Sequence, residues 1–219
     1  RYLKEHGALP PSDAVDLLLP VVSAIAEGHR SGVVHRDLKP PNIIIGRSIG
    51  ERPHPIVLDF GIAKPQDEET LMRQQDSFFG TPEYMAPEVL SGDSAGAAAD
   101  QYALGLMLYE LVLGSRAFVA SSYVELLQKV ATEELPDLSA VSSASPALGA
   151  IVARATDREA PRRFSSVAAF GKALLPHASP EVSGQWSGGF AVPTDPPPPP
   201  RASTRPAQRA EPSAAAPAS

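Results

Sequence analysis

The 219-residue sequence contains no cysteine, which excludes disulfide bonds and thiolate metal sites. It also lacks a dense block of Lys or Arg, and with a net charge of −6 it has no electrostatic footprint for nucleic acid. Its longest apolar run, 102–114, contains Glu110 and is too short to cross a bilayer comfortably. We therefore expect a soluble, cytoplasmic protein with no membrane segment in this chain and no nucleic acid partner.

Large apolar residues are scarce after residue 175, where Pro, Ala and Ser dominate and a run of prolines occupies 196–200. Such a segment cannot bury enough apolar surface to offset the entropy lost on ordering. The sequence predicts one folded domain at 1–175, followed by a disordered tail or linker at 176–219.

The domain begins with helical periodicity and then changes to short β-like runs. Apolar residues recur at helical spacing between Ser12, the predicted N-cap, and Arg30, and Pro20 predicts a kink or an early boundary. The β-branched runs 43–45 and 56–58 are separated by a loop rich in Gly, Pro and charge, which favours a hairpin.

The rest of the domain reads as helical. We predict a buried helix at 100–113, an amphipathic one at 122–133, one opening at Ser145 and Pro146, and a last one capped by Ser165 or Ser166. The predicted fold is therefore mainly α (α+β), a helical lobe with one short β-hairpin.

Polar residues that suit phosphoryl transfer cluster around this hairpin. HRDLKPPN, at 35–42, lies between the first long helix and the first strand, and Asp59 ends the second strand. If the strands pair, Asn42 and Asp59 lie close together and offer the hard oxygen ligands that Mg²⁺ prefers. Lys39 can meet a phosphate oxygen, and Asp37 is left to accept a proton.

These motifs resemble those of protein kinases. HRDLKPPN matches the catalytic loop, DFG at 59–61 the metal-binding motif, GTPEYMAPE at 80–88 the end of the activation segment, and DQYALG at 100–105 the central buried helix. Their order and spacing are far more specific than any one tripeptide. Over 1–175 the chain resembles the large C-terminal lobe of bacterial, eukaryotic-like serine/threonine protein kinases.

The resemblance implies the cofactors ATP and Mg²⁺ and a role for each residue of the cleft. Asp37 would orient the acceptor hydroxyl and take its proton, while Lys39 would contact the transferring phosphoryl group. Asn42 and Asp59 would hold magnesium, and Gly61 would allow the backbone to turn after the metal ligand.

The resemblance also implies supporting and regulatory residues. Arg36 would bind a phosphate on the activation segment, for which Ser77 is the first candidate and Thr70 the second, whereas Thr81 would contact the catalytic Asp and Lys. The implied supports are His35 and Phe60 by packing, Asp100 by bracing the loop backbone, and Glu88 by pairing with Arg163, or alternatively with Arg162.

No G-x-G-x-x-G motif occurs, so we expect the nucleotide-clamping N-terminal lobe to be absent from this chain. Two hypotheses follow: the lobe of an active kinase that phosphorylates Ser or Thr of protein substrates, or a noncatalytic binding module that sequesters substrates or pairs with a kinase. A kinase homodimer is a further partner to consider, and the alternative to a free cytoplasmic protein is the cytosolic part of a membrane-anchored kinase. The other histidines have no carboxylate or thiol at ligand spacing and read as surface residues: His6, His29, His54 and His177.

Overall fold

The computed structural model describes residues 2–46, 53–60, 82–133, 135 and 138–190. This part of the chain is mostly helical, with one antiparallel hairpin, which confirms the predicted fold class. Its helices are α1 (Tyr2–His6), α2 (Pro11–Arg30), α3 (Pro87–Leu90), α4 (Ala97–Leu113), α5 (Tyr123–Thr132), α6 (Leu138–Ala144), α7 (Pro146–Ala155), α8 (Val167–Leu174) and α9 (Pro180–Trp186). Its strands are β1 (Ile43–Gly46) and β2 (His54–Val57).

Helix α4 is the centre of the lobe, as the sequence predicts. Every residue from Ala99 to Tyr109 is buried, and α2, α6, α7 and α8 pack around it. Gly105 lets Thr156 pack closely against α4, because a Cβ atom at Gly105 would lie 2.6 Å from Cγ2 of Thr156. The helix ends at Gly114, whose φ of 71° is left-handed and favours glycine.

Helix α2 corrects the predicted N-cap and excludes a helix boundary at Pro20. Its N-cap is Pro10 and not Ser12, whose hydroxyl instead donates to Asp13 over 3.2 Å. Pro20 does not end the helix, which runs unbroken from Pro11 to Arg30. An internal proline costs about 3 kcal/mol, and the burial of an apolar face that includes Leu19 and Val22 offsets it.

The hairpin forms as predicted, as do the caps at Ser145 and at one of Ser165 and Ser166, and Ser122 is a further cap. In the hairpin Ile43 pairs with Val57 and Ile44 with Ile56. Three serine hydroxyls accept a backbone N–H from the first turn of a helix: Ser122 from Glu125, Ser145 from Leu148 and Ser166 from Ala169. The choice between Ser165 and Ser166 is therefore settled in favour of Ser166.

The segment 176–190 contradicts the prediction that disorder begins at Pro176. Ser179 caps α9 and its N–H donates to Asp16 of α2 over 2.9 Å. Val182 and Phe190 are only 6% and 3% exposed. A Cβ on Gly171 would lie 2.4 Å from the Phe190 ring, so the ring lies directly on the backbone of α8. A few well-placed apolar residues are enough to order this segment despite its composition; residues 191–219 lie outside the described ranges.

Across these ranges we find no helix long and apolar enough to cross a membrane.

Candidate active site

The loop at 35–42 is held from beneath by the carboxylate of Asp100. Asp100 lies in the first turn of α4 and is 1% exposed. Its Oδ2 accepts the backbone N–H of His35 over 2.8 Å, and its Oδ1 accepts that of Arg36 over 2.9 Å. Arg36 has a left-handed φ of 66°, which costs a non-glycine residue about 1–2 kcal/mol. The buried carboxylate therefore stabilises a strained backbone directly before Asp37.

Asn42 ties this loop to the hairpin. Its Nδ2 donates to the backbone carbonyl of Asp37 over 2.7 Å. Its own backbone carbonyl accepts the N–H of Leu58 over 2.8 Å. Asp59 follows Leu58, is exposed and has a φ of 51°. The predicted hairpin thus brings the segments of Asp37, Asn42 and Asp59 to one end of the two strands.

His35 is fully buried beneath the loop and uses both ring nitrogens. Nε2 lies 2.9 Å from the Leu58 carbonyl, which can only accept, so this nitrogen carries the hydrogen. Nδ1 accepts the N–H of Asp37 over 3.4 Å. A neutral imidazole satisfies both bonds, so His35 joins the backbone of Asp37 to that of Leu58.

Asp37 and Lys39 form an ion pair at the surface of the loop. Nζ of Lys39 lies 3.1 Å from Oδ2 and 3.2 Å from Oδ1 of Asp37. The Asp37 side chain is 36% exposed and the Lys39 side chain 17% exposed. A carboxylate and an ammonium group are therefore side by side where a substrate can reach the carboxylate.

Phe60 packs against the loop at 35–42 and against the end of α2. Its ring centroid lies 5.3 Å from that of His35. At Gly28, near the end of α2, a Cβ would lie 2.7 Å from Cε1 of Phe60. A glycine at that position leaves room for the Phe60 ring.

Glu88 and Arg163 form the predicted ion pair. Nη1 and Nη2 of Arg163 each lie 2.7 Å from an oxygen of Glu88, in a bidentate arrangement. Arg163 also donates to the carbonyls of Asp157 and Ala98, and its side chain is 0% exposed. The alternative partner, Arg162, is exposed and pairs with Glu159 instead.

Four of the predicted residues, Gly61, Thr70, Ser77 and Thr81, lie outside the described residues. The phosphate that Arg36 is predicted to bind would be on Ser77 or Thr70, so that prediction also falls outside the described residues.

The sequence reasoning missed two features near the site. The sequence predicts a surface histidine at position 29, but Nε2 of His29 lies 2.8 Å from Oδ2 of Asp100. The two residues are 71 positions apart, and no local pattern signals the contact.

The second missed feature is a cluster in which Tyr84 donates its hydroxyl to Glu110 and Arg116 donates to Glu83. Burial, followed by the bond to Glu110, raises the pKa of Tyr84 well above its usual value.

A family model described as the protein kinase domain matches residues 1–174. The chain belongs to the protein kinase family. The match ends one residue before the predicted domain boundary at 175, and it confirms the resemblance on which the sequence assignment depends.

Bacterial serine/threonine kinases are among the relatives of this kinase-family chain. It is 44% identical over 129 residues to the serine/threonine-protein kinase PkaA of Streptomyces coelicolor, covering 59% of this chain and 23% of PkaA. It is 36% identical over 176 residues to the serine/threonine-protein kinase pkn3 of Myxococcus xanthus, covering 78% of this chain and 32% of pkn3. For PknB of Mycobacterium leprae the identity is 32% over 163 residues, 74% of this chain and 26% of PknB. The chain thus spans less than a third of the length of each relative.

Proposed function

We propose that this chain is the catalytic lobe of a serine/threonine protein kinase that transfers the γ-phosphoryl group of ATP to protein hydroxyls. The best support for this proposal is that hydrogen bonds hold the loop at 35–42 from two sides. Asp100 holds its backbone from below, and Asn42 joins Asp37 to the hairpin that ends at Asp59. This arrangement leaves the Asp37 carboxylate accessible while its backbone is fixed.

In the proposed reaction, Asp37 accepts a hydrogen bond from the Ser or Thr hydroxyl and so directs its oxygen at the phosphoryl group. As the new O–P bond forms, the bond from the γ-phosphorus to the β–γ bridging oxygen breaks with ADP as the leaving group, and the hydroxyl proton passes to the Asp37 carboxylate. The Lys39 ammonium, 3.1 Å from that carboxylate, places positive charge where phosphoryl oxygens gather negative charge. Positioning and charge stabilisation supply most of the catalysis in phosphoryl transfer.

The donor set at the hairpin fits magnesium. The amide nitrogen of Asn42 is engaged with the Asp37 carbonyl, so the amide oxygen is the atom that this side chain offers to a metal. Asp59 adds an exposed carboxylate, and both are hard oxygen ligands. When bound, Mg²⁺ neutralises charge on the ATP phosphates. The cross-strand pair Ile44 and Ile56, 50% and 48% exposed, offers an apolar surface for the adenine ring.

The finer assignments belong to the same proposal. We place an activation-segment phosphate at Ser77, or at Thr70, to be bound by Arg36, and a contact from Thr81 to the catalytic loop. Gly61 would let the backbone turn after the metal ligand. The substrates would be proteins with Ser or Thr acceptors, and the protein would act in the cytoplasm. Two copies of the kinase would form a homodimer.

The test joins this chain to a nucleotide-binding lobe, for example that of PkaA, and measures ATP-dependent phosphorylation of a Ser/Thr substrate. Asp37→Asn keeps the shape and removes the base, so the rate should fall by about 10²–10⁴-fold with little change in melting temperature. The matched control Asp93→Asn alters an exposed aspartate and should leave the rate unchanged.

The chain without a nucleotide-binding lobe should have little or no activity, because half of the phosphate clamp is missing. Equal rates for Asp37→Asn and the parent protein would contradict the proposal. Substrate binding without phosphoryl transfer in either form would favour the alternative, a noncatalytic binding module.

A further inference from the structure

Gly28 lies inside α2 at a position where the backbone does not require glycine. The helix continues past it to Arg30, and the left-handed φ that follows, 77°, belongs to Gly32. Glycine is less favourable than alanine within a helix, because it loses more conformational freedom on folding. Something other than backbone conformation must therefore favour glycine at position 28.

The Phe60 ring lies where a side chain at position 28 would be. A Cβ atom on Gly28 would lie 2.7 Å from Cε1 of Phe60, whereas carbon atoms pack at about 3.5–4.0 Å. The ring also contacts His35, with 5.3 Å between the two centroids. His35 cannot yield, because it is fully buried and both of its ring nitrogens are hydrogen-bonded. A side chain at position 28 would therefore displace Phe60.

Phe60 directly follows Asp59, the proposed metal ligand, whose backbone is strained. Asp59 has a φ of 51°, a conformation that a non-glycine residue keeps only where its surroundings hold it. On one side the backbone is held at Leu58, whose N–H donates to the Asn42 carbonyl and whose carbonyl accepts from His35. On the other side it is held by the packed ring of Phe60.

We infer that Gly28 is a positioning residue for Asp59. The space beside its Cα atom holds the Phe60 ring, and the ring holds the backbone that carries the carboxylate. This inference rests on the proposed kinase function for its effect on rate. Groups that orient a metal ligand without touching the metal are worth about 10–100-fold in metal affinity or activity.

A role in the turn after α2 explains this glycine less well. The Gly28 carbonyl accepts the N–H groups of Ser31 and Val33 over 3.0 and 2.8 Å, but every residue type has that carbonyl. A Cβ atom would lie 3.3 Å from the Val33 carbonyl oxygen, which a shift of a few tenths of an ångström relieves. The 2.7 Å approach to Phe60 is the contact that excludes a side chain.

The test makes the same substitution at two helical glycines. Gly28→Ala adds a Cβ atom beside Phe60, whereas Gly184→Ala adds one in α9, where no atom lies within 4 Å. Phe60→Leu is the relieving change, because leucine ends at its δ carbons and Cδ1 of Phe60 lies 3.5 Å from the Cβ position. A double-mutant cycle on Gly28→Ala and Phe60→Leu isolates the contact between the two residues.

Amide hydrogen exchange on the 219-residue chain measures how firmly the backbone before Asp59 is held. In Gly28→Ala the Leu58 amide should exchange about tenfold faster or more, with the centre of α4 unchanged. Gly184→Ala should resemble the parent chain. In the Phe60→Leu background, Gly28→Ala should change the Leu58 exchange rate by less than about twofold, because the clashing ring atom is gone.

The rate measurement uses the form joined to a nucleotide-binding lobe. Gly28→Ala should lower kcat by about 10–100-fold and raise the free Mg²⁺ concentration for half-maximal rate by about tenfold or more, since it moves a metal ligand. The KM for the protein substrate should stay within about twofold, because the loop at 35–42 is unchanged. Gly184→Ala should leave all three constants unchanged.

Unchanged exchange at Leu58 in Gly28→Ala would overturn the inference. So would an equal effect of Gly28→Ala with and without Phe60→Leu, because the cause would then be the Val33 carbonyl and not the ring. Faster exchange with an unchanged kcat and Mg²⁺ dependence would leave Gly28 a structural role alone.

The double variant decides the matter if Gly28→Ala does not fold. Recovery of folding by Phe60→Leu would support the contact, and failure of the double variant to fold would overturn it. If the parent protein transfers no phosphate at all, the proposed function fails. The exchange cycle by itself then decides whether Gly28 positions the backbone of Asp59.

Discussion

Asn42 donates its side-chain amide to the backbone carbonyl of Asp37 across 2.7 Å. The same residue accepts the Leu58 N–H at its own carbonyl, so it joins the catalytic loop to the second strand. The nitrogen of this side chain therefore holds the loop, and its oxygen is the atom that we propose as a metal ligand. A replacement that keeps the oxygen and removes the nitrogen separates the two.

Asn42→Asp is that replacement. It places a carboxylate oxygen against the Asp37 carbonyl, where neither group can donate, so we expect the chain to lose about 1–3 kcal/mol of unfolding free energy. Urea denaturation of the 219-residue chain measures this. Gln128→Glu makes the same amide-to-acid change on an exposed face of α5 and should cost less than about 0.5 kcal/mol. Equal losses for the two variants would show that the bond does not hold the loop.

The elements that the sequence predicted correctly are those governed by local interactions. The caps at Ser145 and Ser166 are bonds over three residues, and the hairpin follows from two β-branched runs beside turn residues. The contact between Glu88 and Arg163 spans 75 residues. It was predicted only because the motifs resemble those of a known family.

The wrong predictions have physical causes. Ser12 has the right residue type for a cap, but α2 begins two residues earlier, with Pro10 as the N-cap and Pro11 as the first helical residue. His29 binds a residue 71 positions away, and no pattern of histidine and carboxylate spacing reveals that. The segment 176–190 has the composition of a tail, yet Val182, Trp186 and Phe190 pack on the core. Average composition does not reveal that a few apolar side chains pack against the hydrophobic core of the folded domain.

The Glu88–Arg163 pair should be essential for stability. Arg163→Met keeps the apolar stem but leaves the Glu88 carboxylate, 19% exposed, and two backbone carbonyls without their donor. Breaking a buried pair from one side costs about 3–5 kcal/mol, which chemical denaturation will detect. Arg162→Met is the neighbouring control: its side chain is 65% exposed, and an exposed pair is worth about 0–1 kcal/mol. Similar losses at both positions would contradict the burial argument.

The pKa of Glu125 provides a test of the hydrogen bonds that this carboxylate accepts from Ser121. Hydrogen bonds from the hydroxyl and N–H of Ser121, assisted by Lys129, lower the pKa of Glu125 from 4.5 to about 2. Because the folded pKa is depressed, the stabilisation is present above pH 4.5 and is lost as the pH falls through about 2. Side-chain NMR titration should find this midpoint. Ser121→Ala, which removes the hydroxyl, should move it upward and leave the titration of Glu27 unchanged. A midpoint that stays in place would show that the hydroxyl is not its cause.

Phe190 tests whether the folded unit continues past the family match. Its ring is 3% exposed and lies on Gly171, so Phe190→Ala should cost about 3–5 kcal/mol, measured by urea denaturation. Val124→Ala, at a side chain that is 73% exposed, should cost less than about 0.5 kcal/mol.

A chain shortened to end at residue 190 should keep the stability of the full chain. One ending at residue 175 should lose several kcal/mol, since it exposes the face of α8 that Phe190 covers. Equal stability of the two shortened chains would mean that α9 and Phe190 add nothing to the fold, and the boundary would return to residue 175.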